Sequence, residues 1–72
     1  MKSFYHFLMK YRQPKKLDDI TAFANDAYED HGFPKQSTDY DEISRYLEMN
    51  GHYITTMALF DKAWDLYIQN EE

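Results

Sequence analysis

Apolar residues recur at helical spacing in four separate stretches of this chain. In the first, Phe4, Phe7, Leu8 and Tyr11 fall at i, i+3, i+4 and i+7, so they share one helix face. Ser3 stands at the N-cap position, and Lys10 and Arg12 sit near the end where cations suit the helix dipole. Pro14 is then expected to stop this helix. The second predicted helix runs from about Asp18 to Asp30, with Ile20, Phe23, Ala24, Ala27 and Tyr28 as its buried stripe. Its expected end is His31-Gly32-Phe33-Pro34. Gly32 would take a left-handed conformation, Phe33 would fold back over the last turn, and Pro34 would prevent resumption.

The third predicted helix begins near Asp39, capped by Ser37, Thr38 or Asp39, and ends before Gly51. Thr38 with Asp41 loosely resembles a capping box, and Tyr40, Ile43, Tyr46 and Leu47 form the stripe. The fourth helix starts near Thr55 or Thr56 and continues to about Gln69. Its apolar residues, among them Met57, Leu59, Phe60, Ala63, Trp64 and Tyr67, sweep an arc of roughly 200°, where a surface helix needs about 100°. It must be covered on two sides. The loop His31–Thr38 has room for a single helical turn near 34–37, which would make a fifth helix, and no strand pattern emerges. The prediction is all-α: one compact, orthogonal four-helix bundle with a long C-terminal helix, a single domain over residues 1–72.

Composition makes this architecture feasible. A chain of 72 residues buries only about 60% of its unfolded surface. Thirteen of those residues are Phe, Tyr or Trp, each able to bury about 150–250 Å². Cysteine is absent, which excludes disulfides and thiolate metal sites and fits a reducing cytoplasm. No stretch approaches the roughly 18 apolar residues of a membrane span, and no signal peptide is expected at the N-terminus. Cytoplasmic localisation without membrane contact is the expectation.

The stretches SFYHFLMKYRQPKK, HGFPKQSTDYDEISRYLEMNGHYI and FDKAWDLY resemble the YozE-like family of small, uncharacterised bacterial proteins, chiefly from low-GC Gram-positive organisms. The resemblance covers about residues 2–68. It implies a fold similar to the sterile alpha motif (SAM), with four to five helices and a long C-terminal one. It implies no function, and it offers no functional residues to carry over.

The chemistry-bearing residues exclude more than they suggest. His6, His31 and His52 lack the i, i+4 spacing of a helical metal pair, so no metal is expected. Asp39, Asp41 and Glu42, and the pair Asp61 and Asp65, fall at helix starts or on polar faces, not in a cleft that would separate their pKa values. No serine or threonine stands in a triad arrangement, and two glycines cannot build a phosphate loop. Neither catalysis nor a cofactor is expected.

Charge asymmetry points elsewhere. Residues 1–16 carry Lys2, Lys10, Arg12, Lys15 and Lys16 and no acid, whereas residues 37–72 carry eight acids against Arg45 and Lys62. The net charge of −5 argues against general nucleic-acid binding. The expected function is a non-enzymatic interaction module. Lys10, Arg12, Lys15 and Lys16 would meet an acidic protein surface, with Tyr5 and Met9 adding apolar contact. That surface would belong to another protein or, by self-association, to the acidic half of a second copy. Nucleic-acid binding through the same segment is the alternative. Tyr5, Met9, Met49 and Tyr53 either form a shared exposed patch or simply roof the core, and the sequence favours neither.

Overall fold

Ser3 opens the first helix as expected. It is extended, its Oγ accepts the His6 N–H at 3.1 Å, and its carbonyl accepts the Phe7 N–H. In the computed structural model, which describes residues 1–13, 15, 18–54 and 56–71, this helix is short. α1 covers Phe4–Leu8 and tightens into a 3₁₀ turn over Met9–Tyr11. The chain leaves helical geometry at Arg12, so the turn has closed before Pro14 is reached; Pro14 itself lies outside the described residues.

α2 spans Asp19–Glu29 and is capped by Asp18, whose carboxylate accepts the Thr21 N–H at 2.9 Å. α3 spans Tyr40–Asn50. Its cap is Asp39, which accepts the Asp41 N–H, while Ser37 Oγ accepts the Asp39 N–H one step earlier. The residue that caps α3 is therefore settled in favour of Asp39, and Thr38 makes no capping box. α4 spans Met57–Glu71; the expected start at Thr55 lies outside the described residues, and Thr56 accepts the Leu59 N–H. The described residues form four α-helices and no strand. The Pro34–Ser37 loop contributes only one hydrogen-bonded turn.

The end of α2 differs from expectation. Neither glycine has positive φ, so Gly32 is not a left-handed cap. Asp30 stops the helix instead: it turns extended, and its Oδ1 accepts the Gly32 N–H at 3.1 Å. A Cβ at Gly32 would come within 2.9 Å of the Tyr46 hydroxyl, so a larger residue there would have to displace the end of that side chain.

α4 packs against each of the other three helices, and the 3₁₀ turn leans on α2. Phe60, Ala63 and Tyr67 of α4 are fully buried, with Met57, Leu59, Trp64, Leu66 and Ile68 half-buried around them. The two-sided covering of this helix is thus observed. Phe4 occupies the centre: its ring lies 5.4–6.5 Å from those of Phe7, Phe23, Phe60, Trp64 and Tyr67. Its N–H reaches the Ser37 carbonyl at 3.2 Å, and the buried Tyr67 hydroxyl donates to the Lys2 carbonyl.

Two stripe residues lie farther out than helical periodicity predicts. Tyr28 is 46% exposed and Tyr40 37%, so neither ring is sealed in the core. Tyr40 still stacks on Phe60 at 5.1 Å and hydrogen-bonds to Asp61. Trp64 likewise borders the core and is not sealed in it.

This ranking of burial is testable by urea unfolding. Phe4→Ala should lose about 3–5 kcal/mol, enough to leave the domain largely unfolded. Trp64→Ala should lose roughly half as much, since less of its surface leaves water on folding. Equal losses would mean that the two rings share the core equally.

Candidate partner-docking face

α1 turns Phe4, Phe7 and Leu8 inward, which leaves Tyr5 and Met9, one turn apart, on its outer side. The Pro34–Ser37 turn lies alongside, held by the Phe4–Ser37 hydrogen bond. Between them runs an open groove of about 470 Å³, lined among others by Lys2, Tyr5, His6, Met9, Lys35 and Gln36, with no acidic residue in its wall. Tyr5 is half-buried, with its ring 5.5 Å from Phe33 and the Lys35 ammonium 5.7 Å above its face. Burial raises the Tyr5 phenol above its ordinary value; nearby Tyr28 adds to this and Arg12 opposes it. Arg12 is tied to the edge of this face through its backbone, where the Met9 carbonyl accepts its N–H at 3.3 Å. The Arg12 guanidinium lies over the Tyr28 ring, 3.4 Å from its centre.

In the basic run, Lys10 sits over the buried Phe7 ring at 5.2 Å, and the Arg12 guanidinium lies over Tyr28. Lys15 is exposed, and Lys16 lies outside the described residues. The structure joins Tyr5 and Met9 to Lys2, His6 and Lys35 instead. Sequence reasoning passed over Lys35 because only the turn after Pro34 carries it to α1. The proposed four-residue patch does not form. Met49, 84% exposed, lines a separate groove with Leu47, Ile54 and Met57, and Tyr53 faces Asp30.

Asp30 organises the opposite kind of surface. Its carboxylate accepts the hydroxyls of Tyr46 at 2.8 Å and Tyr53 at 2.9 Å in addition to the Gly32 N–H. Burial by itself would raise this carboxyl, but the three donors outweigh that effect and hold it below its ordinary value. Burial, followed by the bond to Asp30, pushes both tyrosine phenols up. Around this latch lies a groove lined by Asp26, Glu29, Asp30, His31, His52 and Tyr53, with no lysine or arginine. The acidic groove thus comes from the end of α2 and the α3–α4 loop, not mainly from the acid-rich C-terminal half.

Elsewhere the polar residues have structural employment: Ser3, Asp18 and Asp39 cap helices, and Asp61 receives Tyr40. Among the described residues, no three His, Asp or Glu side chains gather where a metal could sit, and no helix is long and apolar enough to cross a membrane.

Comparison with known proteins supplies the family context. The model of the YozE SAM-like fold family matches residues 3–69. The UPF0346 protein YozE of Bacillus subtilis (strain 168) is 69% identical over 67 residues, which is 93% of this chain and 90% of that protein. A UPF0346 protein of Listeria monocytogenes serotype 4a is 54% identical over 71 residues, 99% of this chain and 92% of the relative. The solution NMR structure of the Bacillus subtilis protein superposes with a TM-score of 0.87 at 66% identity, covering 97% of this chain and 85% of that one. None of these names describes an activity.

The Asp30 latch predicts a pH dependence. Its native pKa lies below the unfolded value of about 3.9, so its stabilisation is complete above that value and is lost as pH falls through the native one. Asp30→Asn should cost roughly 1–3 kcal/mol at neutral pH, the lower end reflecting partial solvent screening. Once pH falls below the native value, the gap between variant and parent should narrow. Urea unfolding at several pH values checks this; a constant gap would assign the loss to shape, not charge.

Proposed function

The chain belongs to the YozE SAM-like family, and we propose that it works as a non-enzymatic module that docks an acidic protein surface on the outer face of α1. The observation that carries this reading is the groove itself: cations at Lys2 and Lys35, half-buried apolar groups at Tyr5 and Met9, and no acid in the wall. Tyrosine and methionine suit the desolvated part of an interface, and the cations around them raise association rate and exclude cationic partners. Arg12 and Lys15 extend the basic character along the same segment, and Lys16 follows in sequence.

Acidic surfaces of the required kind exist on other proteins and on this molecule. The groove at Asp26, Glu29 and Asp30 carries the complementary charge, so the same contact made between copies would give self-association. The overall charge of −5 opposes close approach of identical molecules and favours a different protein as partner at low salt.

Titration of 15N-labelled protein with a short oligoglutamate peptide tests the docking face. The expected result is saturable shifts at Lys2, Tyr5, His6, Met9 and Lys35, weakened by salt and lost in Lys2→Glu/Lys35→Glu. Shifts scattered over the whole surface, or unchanged in the double variant, would refute the assignment. A single-stranded oligonucleotide serves as competitor. Tighter binding of that probe, with a log–log salt slope of about −3 to −4 for four phosphates, would make nucleic acid the partner.

A further inference from the structure

Arg12 is held through both its backbone and its side chain. Its N–H closes the 3₁₀ turn on the Met9 carbonyl at 3.3 Å. The next carbonyl, that of Gln13, accepts the Asn25 side-chain N–H at 3.0 Å, which ties the segment to α2. Between these two anchors the guanidinium rests on Tyr28, a ring that remains 46% exposed. A guanidinium lying on a ring has one face covered, and its N–H groups point outward in the guanidinium plane. Those edges match the two oxygens of a carboxylate, a geometry an ammonium cannot reproduce. Because stacking already restricts the side chain, less freedom remains to be lost on binding.

We propose that Arg12, laid on Tyr28, is the specificity-determining residue of the docking face and takes one Asp or Glu carboxylate of an acidic protein segment through two parallel N–H···O bonds. Lys35, held over Tyr5, supplies a second positive charge without directional demand. Tyr28 is the positioning residue, and its exposure is explained by this duty: a ring sealed in the core could not hold a solvent-facing guanidinium. The inference rests on the docking reading above and adds to it the group recognised and the residue that recognises it.

The test uses the full chain, oligoglutamate as probe, and two readouts: dissociation constant and the Arg12 Nε–Hε resonance. Arg12→Lys keeps the charge and removes the fork; it should weaken binding about tenfold at constant salt. Tyr28→Leu should weaken it about threefold, with far-UV circular dichroism melting used to confirm that the variant is folded. Arg45→Gln, on α3, should change it by less than about twofold. In the parent protein the Arg12 Nε–Hε signal should move downfield on saturation. Equal binding by Arg12→Lys and the parent, or an unmoved Nε–Hε signal in a saturated complex, would overturn this inference and leave the docking face intact. Failure of the parent to bind oligoglutamate would overturn the docking reading and this one with it. Markedly tighter binding of a phosphoserine peptide of the same length would show that Arg12 reads a phosphate and would refute the carboxylate assignment.

Discussion

Phe4 lies where α1, α2 and α4 meet, and the other helices are organised around its ring. A five-residue helix with a 3₁₀ extension has no stability of its own in water, since nucleation costs more than so few hydrogen bonds return. α1 exists because its inner side is buried. The rings of Phe60 and Tyr67 meet Phe4 edge-on at 5.5 Å, and those of Phe23 and Trp64 tilt against it from two helices. Each such pair adds roughly 0.5–1.5 kcal/mol beyond area burial. The Tyr67–Lys2 and Phe4–Ser37 hydrogen bonds then fix the depth and rotation of the segment.

Tyrosine makes this economy of size possible at the polar end of the molecule. Tyr46 and Tyr53 bring ring surface toward the interior while their hydroxyls converge on Asp30, so one carboxylate joins α2, α3 and the α3–α4 loop. The latch and the aromatic cluster meet through Phe33, whose ring lies 5.8 Å from Tyr46 and 5.5 Å from Tyr5. A continuous line of contacts therefore runs from Asp30 to the outer face of α1. The groove there is shaped by the same packing that stabilises the fold.

That arrangement gives the surface its character. The inner side of α1 is committed to the core, so its outer residues are presented on a rigid support, not on a free helix. Lys35 rests on Tyr5 of α1, and Arg12 on Tyr28 of α2. The planar fork of Arg12 gives its charge a direction, whereas Lys35 presents a point charge. A basic face of this kind on a molecule of net charge −5 requires acids elsewhere, and the groove around Asp30 collects three of them.

Periodicity and capping chemistry alone determined the all-helical class, the number of helices and most of the core: Phe4, Phe7, Ile20, Phe23, Ile43, Leu47 and Phe60 lie where helical spacing puts them. These features are local, because a helix face and an N-cap are defined within a few residues. Residues at the edge of a stripe were not decided that way. Tyr28 and Tyr40 have the same spacing as buried neighbours, and only the positions of other helices leave them partly in water. The end of α2 also needed the tertiary structure, since the role of Asp30 depends on two tyrosines 16 and 23 residues away. The groove beside α1 followed the same division. Tyr5, Met9 and Arg12 were legible as a basic, aromatic segment, but the grouping of Tyr5 and Met9 with Lys2, His6 and Lys35 arose from packing. Spacing along a chain gives the direction in which a side chain leaves its own helix; what it meets there depends on contacts between distant segments.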